Sequence, residues 1–312
     1  MKPLAVASDP EIRSIPLFGK DHVDLEDWAC ANRFECVWKK KSGEVLLTNS
    51  WARLGFRVDS RRAQINGIDV WLSHPIARQL DSVYITEFDL ETIIDPILHP
   101  PKGPKGRKIK TIAISAGHGG RDPGNLEGHH QEKKYTLLLA RELEKRLEQA
   151  GLKVVLIRDG DEYVDLEQRP ALARRRGADL FLSVHYNSAG RGNNEARGVE
   201  VYCLTPAGAT STNGSLEPSG KAARGNRFDD QNVLFAYQVQ KALVNSLDMV
   251  DRGVRRARFL VLRQADIPSI LVEAGFMSHP EEMKKIASAD HRRATAQAIV
   301  DGVLAYKRLV ER

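Results

Sequence analysis

The chain has 312 residues, of which 42% are hydrophobic and 28% charged. That balance excludes the disordered, collagen-like and coiled-coil classes, and no apolar stretch nears the roughly 18 residues of a membrane-spanning helix. Lys and Arg outnumber Asp and Glu by 47 to 41, which suits an acidic partner such as nucleic acid, anionic lipid or an anionic polymer without choosing among them.

A soluble chain of one large or two ordinary domains is expected. The opening MKPLAVASDPEIRSIP carries a lysine but no apolar h-region, so no secretory signal is read there. Cys30, Cys36 and Cys203 follow no zinc-ribbon spacing. Cys30 and Cys36 are expected to be buried free thiols, with a disulfide as the alternative if the protein is exported.

Short β-rich runs come first: Glu35–Lys39, Glu44–Thr48, Arg53–Val58 and Asp69–Leu72. Lys41-Ser42-Gly43 and Asn66-Gly67 separate them as turn signals, the second because both residues tolerate positive φ. Helices are expected near Asp24–Asn32 and Glu87–Leu98, which makes residues 1–99 a small α+β module. The run from His99 to Lys108, dense in proline, glycine and like charge, resists helix and ladder alike and reads as a linker over 100–108.

From residue 109 to 312 the pattern changes. Ile109–Ser115, Lys153–Arg158, Asp179–Val184, Gly198–Leu204 and Ser269–Glu273 are nearly continuous apolar runs, as strands buried on both faces require. Between them lie helical stretches at Glu132–Ala150, Leu166–Arg176, Gln231–Leu247 and His291–Leu309. The clearest is the first, where Tyr135, Leu138, Leu139, Leu143 and Leu147 step by three or four before Gly151. The fold class is therefore α/β, a mostly parallel sheet covered by helices, with a smaller N-terminal α+β domain. Residues 205–230, rich in Gly, Ser, Thr and Asn, are expected to form a long loop flanking the substrate and gating it.

In open α/β sheets ligands bind beyond the carboxyl ends of the strands. The first apolar run leads into His118, the third into His185, and the last ends on Glu273, while Glu132 opens the first helix on the return path. Two imidazoles and a carboxylate with one open position form a zinc hydrolase set, and an unbound carboxylate beside them carries the proton. His118, Glu132 and His185 fit as ligands to Zn²⁺ and Glu273 as the carrier. Taken singly, each has a plainer reading as a loop histidine, a helix-start acid or a paired structural acid. His129 and His130, close to Glu132, are read as surface histidines at the substrate entrance, with ligation as their alternative.

Residues 109–310 resemble the zinc-dependent N-acetylmuramoyl-L-alanine amidases of the type-3 amidase family. The matching segments include AGHGGRDPG (116–124), the helix from Glu132, ADLFLSVHYNS (178–188), GVEVY (198–202), RGVRRARFLVLR (252–263) and IPSILVEAGFMSHPEE (267–282). The resemblance implies zinc binding by His118, Glu132 and His185 and catalysis by Glu273, acting on bacterial peptidoglycan. It also implies an extracytoplasmic location (periplasm or cell wall) and a protein activator as a partner to be sought. Ser115 departs from the aspartate common at that position in relatives, which puts the orientation of a ligand in doubt.

Asn187, Arg255 and Arg263 are candidate substrate or oxyanion contacts. The run Arg255, Arg256, Arg258 and Arg263 otherwise reads as a solvated basic turn. No recognition helix, zinc finger or aromatic stacking pattern accompanies these cations, so nucleic acid is not expected. Residues 20–98 resemble, more faintly, the modules related to the copper amine oxidase N-terminal domain, which implies wall or partner binding or a spacer. The rival readings are a zinc hydrolase of the same fold acting on another amide and an inactive wall-binding regulator.

Overall fold

The computed structural model describes residues 12–102, 108–190, 194–214 and 220–312, so most of the expected linker and residues 215–219 of the expected loop lie outside it. The chain divides into two compact units after Leu98. None of the helices among the described residues is long and apolar enough to cross a membrane.

The first unit contains β1 (Ser14–Leu17), β2 (Lys20–Asp24), α1 (Leu25–Ala31), β3 (Glu35–Lys39), β4 (Glu44–Thr48) and β5 (Arg53–Arg57). It continues with β6 (Arg62–Ile65), β7 (Ile68–Trp71), β8 (Ala77–Gln79), β9 (Ser82–Thr86), α2 (Glu87–Asp89) and α3 (Asp95–Leu98). A π-helical turn, Leu90–Ile94, joins the last two helices. The strands form two antiparallel sets, β1-β2-β9-β8 and β7-β6-β5-β4-β3. Asn66 and Gly67, at φ 49° and 82°, make the turn between β6 and β7. Val45, Leu47, Leu54, Phe56, Ala63 and Ile65 alternate into the core.

The expectation of two buried thiols is corrected here: Cys30 is exposed and Cys36 half-buried, and both are free. Cys30 closes α1 on the solvent side of an amphipathic turn, where burial falls to Leu25, Trp28 and Ala29.

The second unit contains β10 (Thr111–Ala116), β11 (Leu126–Glu127), β12 (His130–Gln131), α4 (Glu132–Gln149), β13 (Lys153–Leu156), α5 (Gln168–Arg175) and β14 (Leu180–Asn187). After these come β15 (Val199–Leu204), α6 (Asp229–Ser246), β16 (Asp251–Ala257), α7 (Leu260–Arg263), β17 (Ser269–Phe276), α8 (Pro280–Ala287) and α9 (Ala289–Val310). Its sheet runs β13-β10-β14-β17-β15-β16. All pairs are parallel except β15 with β17.

Ala113, Val155, Phe181, Leu204 and Leu271 pack with Ala173 of α5 and Val261 and Leu262 of α7. Residues of the opposite parity, such as Ile112, Ile114, Leu182 and Val272, are equally buried on the other face, where α4 and α6 meet these strands and α9 packs against both helices. Each strand is thus covered on both sides, which is why these segments read as unbroken apolar runs.

Two expectations change. Arg255 and Arg256 stand in strand β16, not in a basic turn. Within 205–230, Arg224–Phe228 form a 3₁₀ turn. Thr212 N and Oγ1 both donate to Arg256 O, at 2.8 and 3.0 Å, and so tie the described part of the loop to β16.

Candidate active site

Three neighbouring strand ends and the start of α4 bring the expected residues to one cavity of about 330 Å³, lined among others by His118, Glu132, His185 and Glu273. His118 follows β10 in a tight turn at φ 60°, a conformation that costs a non-glycine residue energy. Its Nε2 lies 3.0 Å from Glu132 Oε2, and His185 Nδ1 lies 3.0 Å from Glu132 Oε1. One ligand atom from each of the three lies within 4.8 Å of the others, so the group could hold a metal ion.

The packing around it is close. A Cβ on Gly117 would stand 2.3 Å from His185 Cε1, so only glycine lets the backbone pass behind that ring. Gly124, at φ 67°, is restricted twice over, because a Cβ there would also meet His118 Cδ2 at 2.6 Å. Nitrogen and oxygen donors in a cradle closed from behind suit a divalent transition ion.

Glu132 is 1% exposed. Burial alone would raise its pKa, but hydrogen bonds and charge from His118 and His185 outweigh that and hold it well below the usual range. Burial also opposes protonation of His118, yet Glu132 and Asp122 together push its pKa up. For His185 burial prevails over Glu132 and the pKa falls.

Glu273 is set by strand register. It pairs with His185 of β14 on one side and with Glu200 of β15 on the other, forming one row across three strands. Adjacent strands lie roughly 4.8 Å apart, so the row delivers Glu273 beside the histidine with no need of a loop. Glu273 Oε2 is buried and has no hydrogen-bond partner. Burial, then the charges of Glu132 and Glu200, raise its pKa well above the ordinary value.

Other contributors were not foreseen. Asp122 Oδ2 lies 2.8 Å from His118 Nδ1, so the acid that orients this histidine stands four residues after it. Ser115 instead accepts from Arg169 Nη1 at 3.1 Å. Arg169 also donates to the carbonyls of Ala116 at 2.6 Å and His118 at 2.8 Å. Arg158 adds bonds to Ala116 O at 3.1 Å and Gly117 O at 2.9 Å. Two buried guanidiniums therefore clamp the turn that carries His118. The signal available in the sequence was AGHGGRDPG itself, where an acid follows the histidine inside a turn too short to carry it away.

The remaining candidates divide. Asn187 Nδ2 donates to Glu200 Oε1 at 2.7 Å, while Arg252 and Arg255 reach Glu200 Oε2 at 2.8 and 2.9 Å. Asn187 and Arg255 thus meet the site through Glu200. Arg263 is exposed on α7 and is not among the residues lining the cavity. His129 and His130 pack ring on ring at 4.0 Å at the β11–β12 hairpin, outside the ligand group.

The profile of a family described as N-acetylmuramoyl-L-alanine amidase matches residues 112–305. The amidase AmiC of Neisseria meningitidis serogroup B is 36% identical over 230 residues, covering 66% of this chain and 55% of that protein. AmiA of Escherichia coli K12 is 31% identical over 66% of this chain and 79% of its own length. The chain thus spans about half the length of the Neisseria relative. Among solved structures, the amidase AmiC2 of Nostoc punctiforme superposes with a TM-score of 0.54 at 32% identity, over 65% of this chain and 99% of that one. The amidase of Clostridium difficile 630 gives 0.53 at 30% identity, over 64% and 97%. On the profile match and these likenesses together, the chain belongs to the N-acetylmuramoyl-L-alanine amidase family.

Proposed function

We propose that this chain is a zinc-dependent peptidoglycan hydrolase, cleaving the amide between N-acetylmuramic acid and the L-alanine of the stem peptide outside the cytoplasm. The observation that carries the reading is the row His185–Glu273–Glu200 beside the His118–Glu132–His185 group. His118, Glu132 and His185 would hold the zinc. When bound there, the ion supplies Lewis-acid polarisation of the scissile carbonyl and acidifies nearby water.

The rest belongs to the chain. Asp122 fixes the His118 ring through Nδ1, leaving Nε2 toward Glu132. Glu273, its Oε2 without a partner, takes a proton from the attacking water and delivers it to the departing nitrogen. A raised pKa suits this duty, since the carboxyl then exchanges its proton nearer neutral pH. Glu200 gathers Asn187, Arg252 and Arg255 and so stiffens the floor beside Glu273.

The test is metal content alongside product analysis on purified peptidoglycan. Wild-type protein should bind one zinc and release intact stem peptides, identified by mass spectrometry. His118→Ala should lose the metal, whereas Glu273→Ala should keep it and lose turnover. Normal turnover by Glu273→Ala would overturn the assignment.

A further inference from the structure

One wall of the active-site cavity is built on two rows of side chains from the same face of the sheet. The row His185–Glu273–Glu200 crosses β14, β17 and β15. Two residues earlier in β14 and β17, and two later in the antiparallel β15, Ser183 pairs with Leu271 and Leu271 with Tyr202. A step of two returns to the same face, so the second row runs beside the first at roughly 6.6 Å. The first row brings His185 and Glu273 to the cavity, and the second brings Ser183 and the apolar Leu271.

More apolar groups border the same cavity: Leu166 from the segment before α5, and Phe259, Leu260 and Val261 at the start of α7. Phe259 rests edge-on against Tyr202 at 5.2 Å, and Tyr202 OH donates to Glu200 Oε1 at 2.9 Å. The apolar side is thereby fastened to the polar row. Arg169 fastens the segment that carries Leu166: its Nε donates to Val164 O at 3.0 Å while its Nη2 donates to His118 O at 2.8 Å. Both flanks of the apolar side are therefore held in fixed relation to the reacting groups.

We propose that Leu166, Phe259, Leu260 and Leu271 form the subsite that reads the first residue of the leaving peptide and restricts it to a small alkyl side chain. The inference rests on the proposed function, in which Glu273 delivers its proton to the departing nitrogen. The residue bearing that nitrogen then lies over β17, where Leu271 is the next side chain on the same face. An apolar surface there gains from a methyl group and gains nothing from a hydrogen. The cavity of about 330 Å³ must also take the amide and its flanking atoms. A long side chain is turned away by the Phe259 ring, which Tyr202 backs. Contact thus separates alanine from glycine, and volume separates it from leucine.

The experiment uses soluble muramoyl peptides whose first residue is glycine, alanine or leucine, with kcat/KM measured for the zinc-loaded full chain. Wild type should favour alanine over glycine by roughly 10–200-fold, the worth of one methyl group in an apolar pocket, and should cleave the leucine member more slowly than the alanine one. Calorimetric affinities of the same series for Glu273→Gln should keep that order. Leu166→Ala removes a side chain that is 51% exposed and should fold normally. It and Leu260→Ala should each narrow both preferences about tenfold. A wild type indifferent to the first residue in rate and affinity would overturn the subsite. So would preferences unchanged in both variants at unchanged melting temperature. Sensitivity to the lactyl methyl on the acyl side, with none to the alanine methyl, would seat the other half of the substrate against this wall and overturn it too. In all three cases cleavage persists and the amidase reading stands. A zinc-loaded chain that cleaves no member of the series would instead sink that reading, and the subsite with it.

Discussion

Asp89 of the first unit and Glu273 of the second are two carboxylates treated in opposite ways. Asp89 of the first unit is fully buried and accepts from Ser73 N at 2.6 Å, His74 N at 2.9 Å and Thr86 Oγ1 at 2.8 Å. These donors are two backbone amides and a capping hydroxyl, and His74 Nδ1 stands 3.4 Å from Oδ2, so both oxygens have partners. Glu273 of the second unit has a buried oxygen with no partner and two other carboxylates acting on it. An unpaired buried polar group costs roughly 1–3 kcal/mol. The first carboxylate organises its fold; the second is left short of a partner beside a group that could hold a metal ion.

The contrast predicts different losses. Glu273→Gln should lower kcat by roughly 10²–10⁴-fold, the usual worth of a positioned acid–base group, with zinc content unchanged. Turnover within tenfold of wild type would break the contrast. Next in size, Asp122→Ala should weaken zinc binding by roughly 10–100-fold, because His118 loses the group that orients its ring. Competition with a chelator of known affinity measures that. Asp89→Ala should leave turnover per folded molecule unchanged and cost roughly 1–3 kcal/mol of stability in urea denaturation. A fall in kcat without destabilisation would place Asp89 in the wrong class.

The central strands of the second unit were legible because burial on both faces leaves an unbroken apolar run, and β3 and β4 appear with the bounds their alternation suggests. Strand β16 was not legible. Its sequence, DRGVRRA, looks solvated until Glu200 and Leu204, each 52 residues earlier, receive Arg252 and Arg256. Long-range neutralisation of this kind leaves no periodic trace. Strand β2, KDHVD, hides behind its charges in the same way, its ladder with β9 closing across a long stretch of chain. At the site, the residue types and their order could be read from the apolar runs they follow, although His185 and Glu273 lie within β14 and β17 rather than beyond them. The row that joins Glu273 to Glu200 needs register, which comes only from the assembled sheet.

The smallest expected effect is a slope. In the metal-free chain the folded-state pKa of Glu273 lies above its ordinary 4.5, so the folded state keeps a proton that the unfolded state gives up. That contribution favours folding below about pH 4.5 and is lost as pH rises from there through the folded-state value, at no more than about 1.4 kcal/mol per pH unit. Glu132 works the other way: its lowered pKa contributes stability above its ordinary 4.5, lost as pH falls toward the folded-state value. The two overlap in any single profile of the wild type. Subtracting the wild-type curve from that of Glu273→Gln removes the Glu132 part, and the remaining difference should climb with pH from its acid baseline. A flat difference for Glu273→Gln would mean that this acid ionises as easily folded as unfolded, and the reading of its unpartnered oxygen would fail.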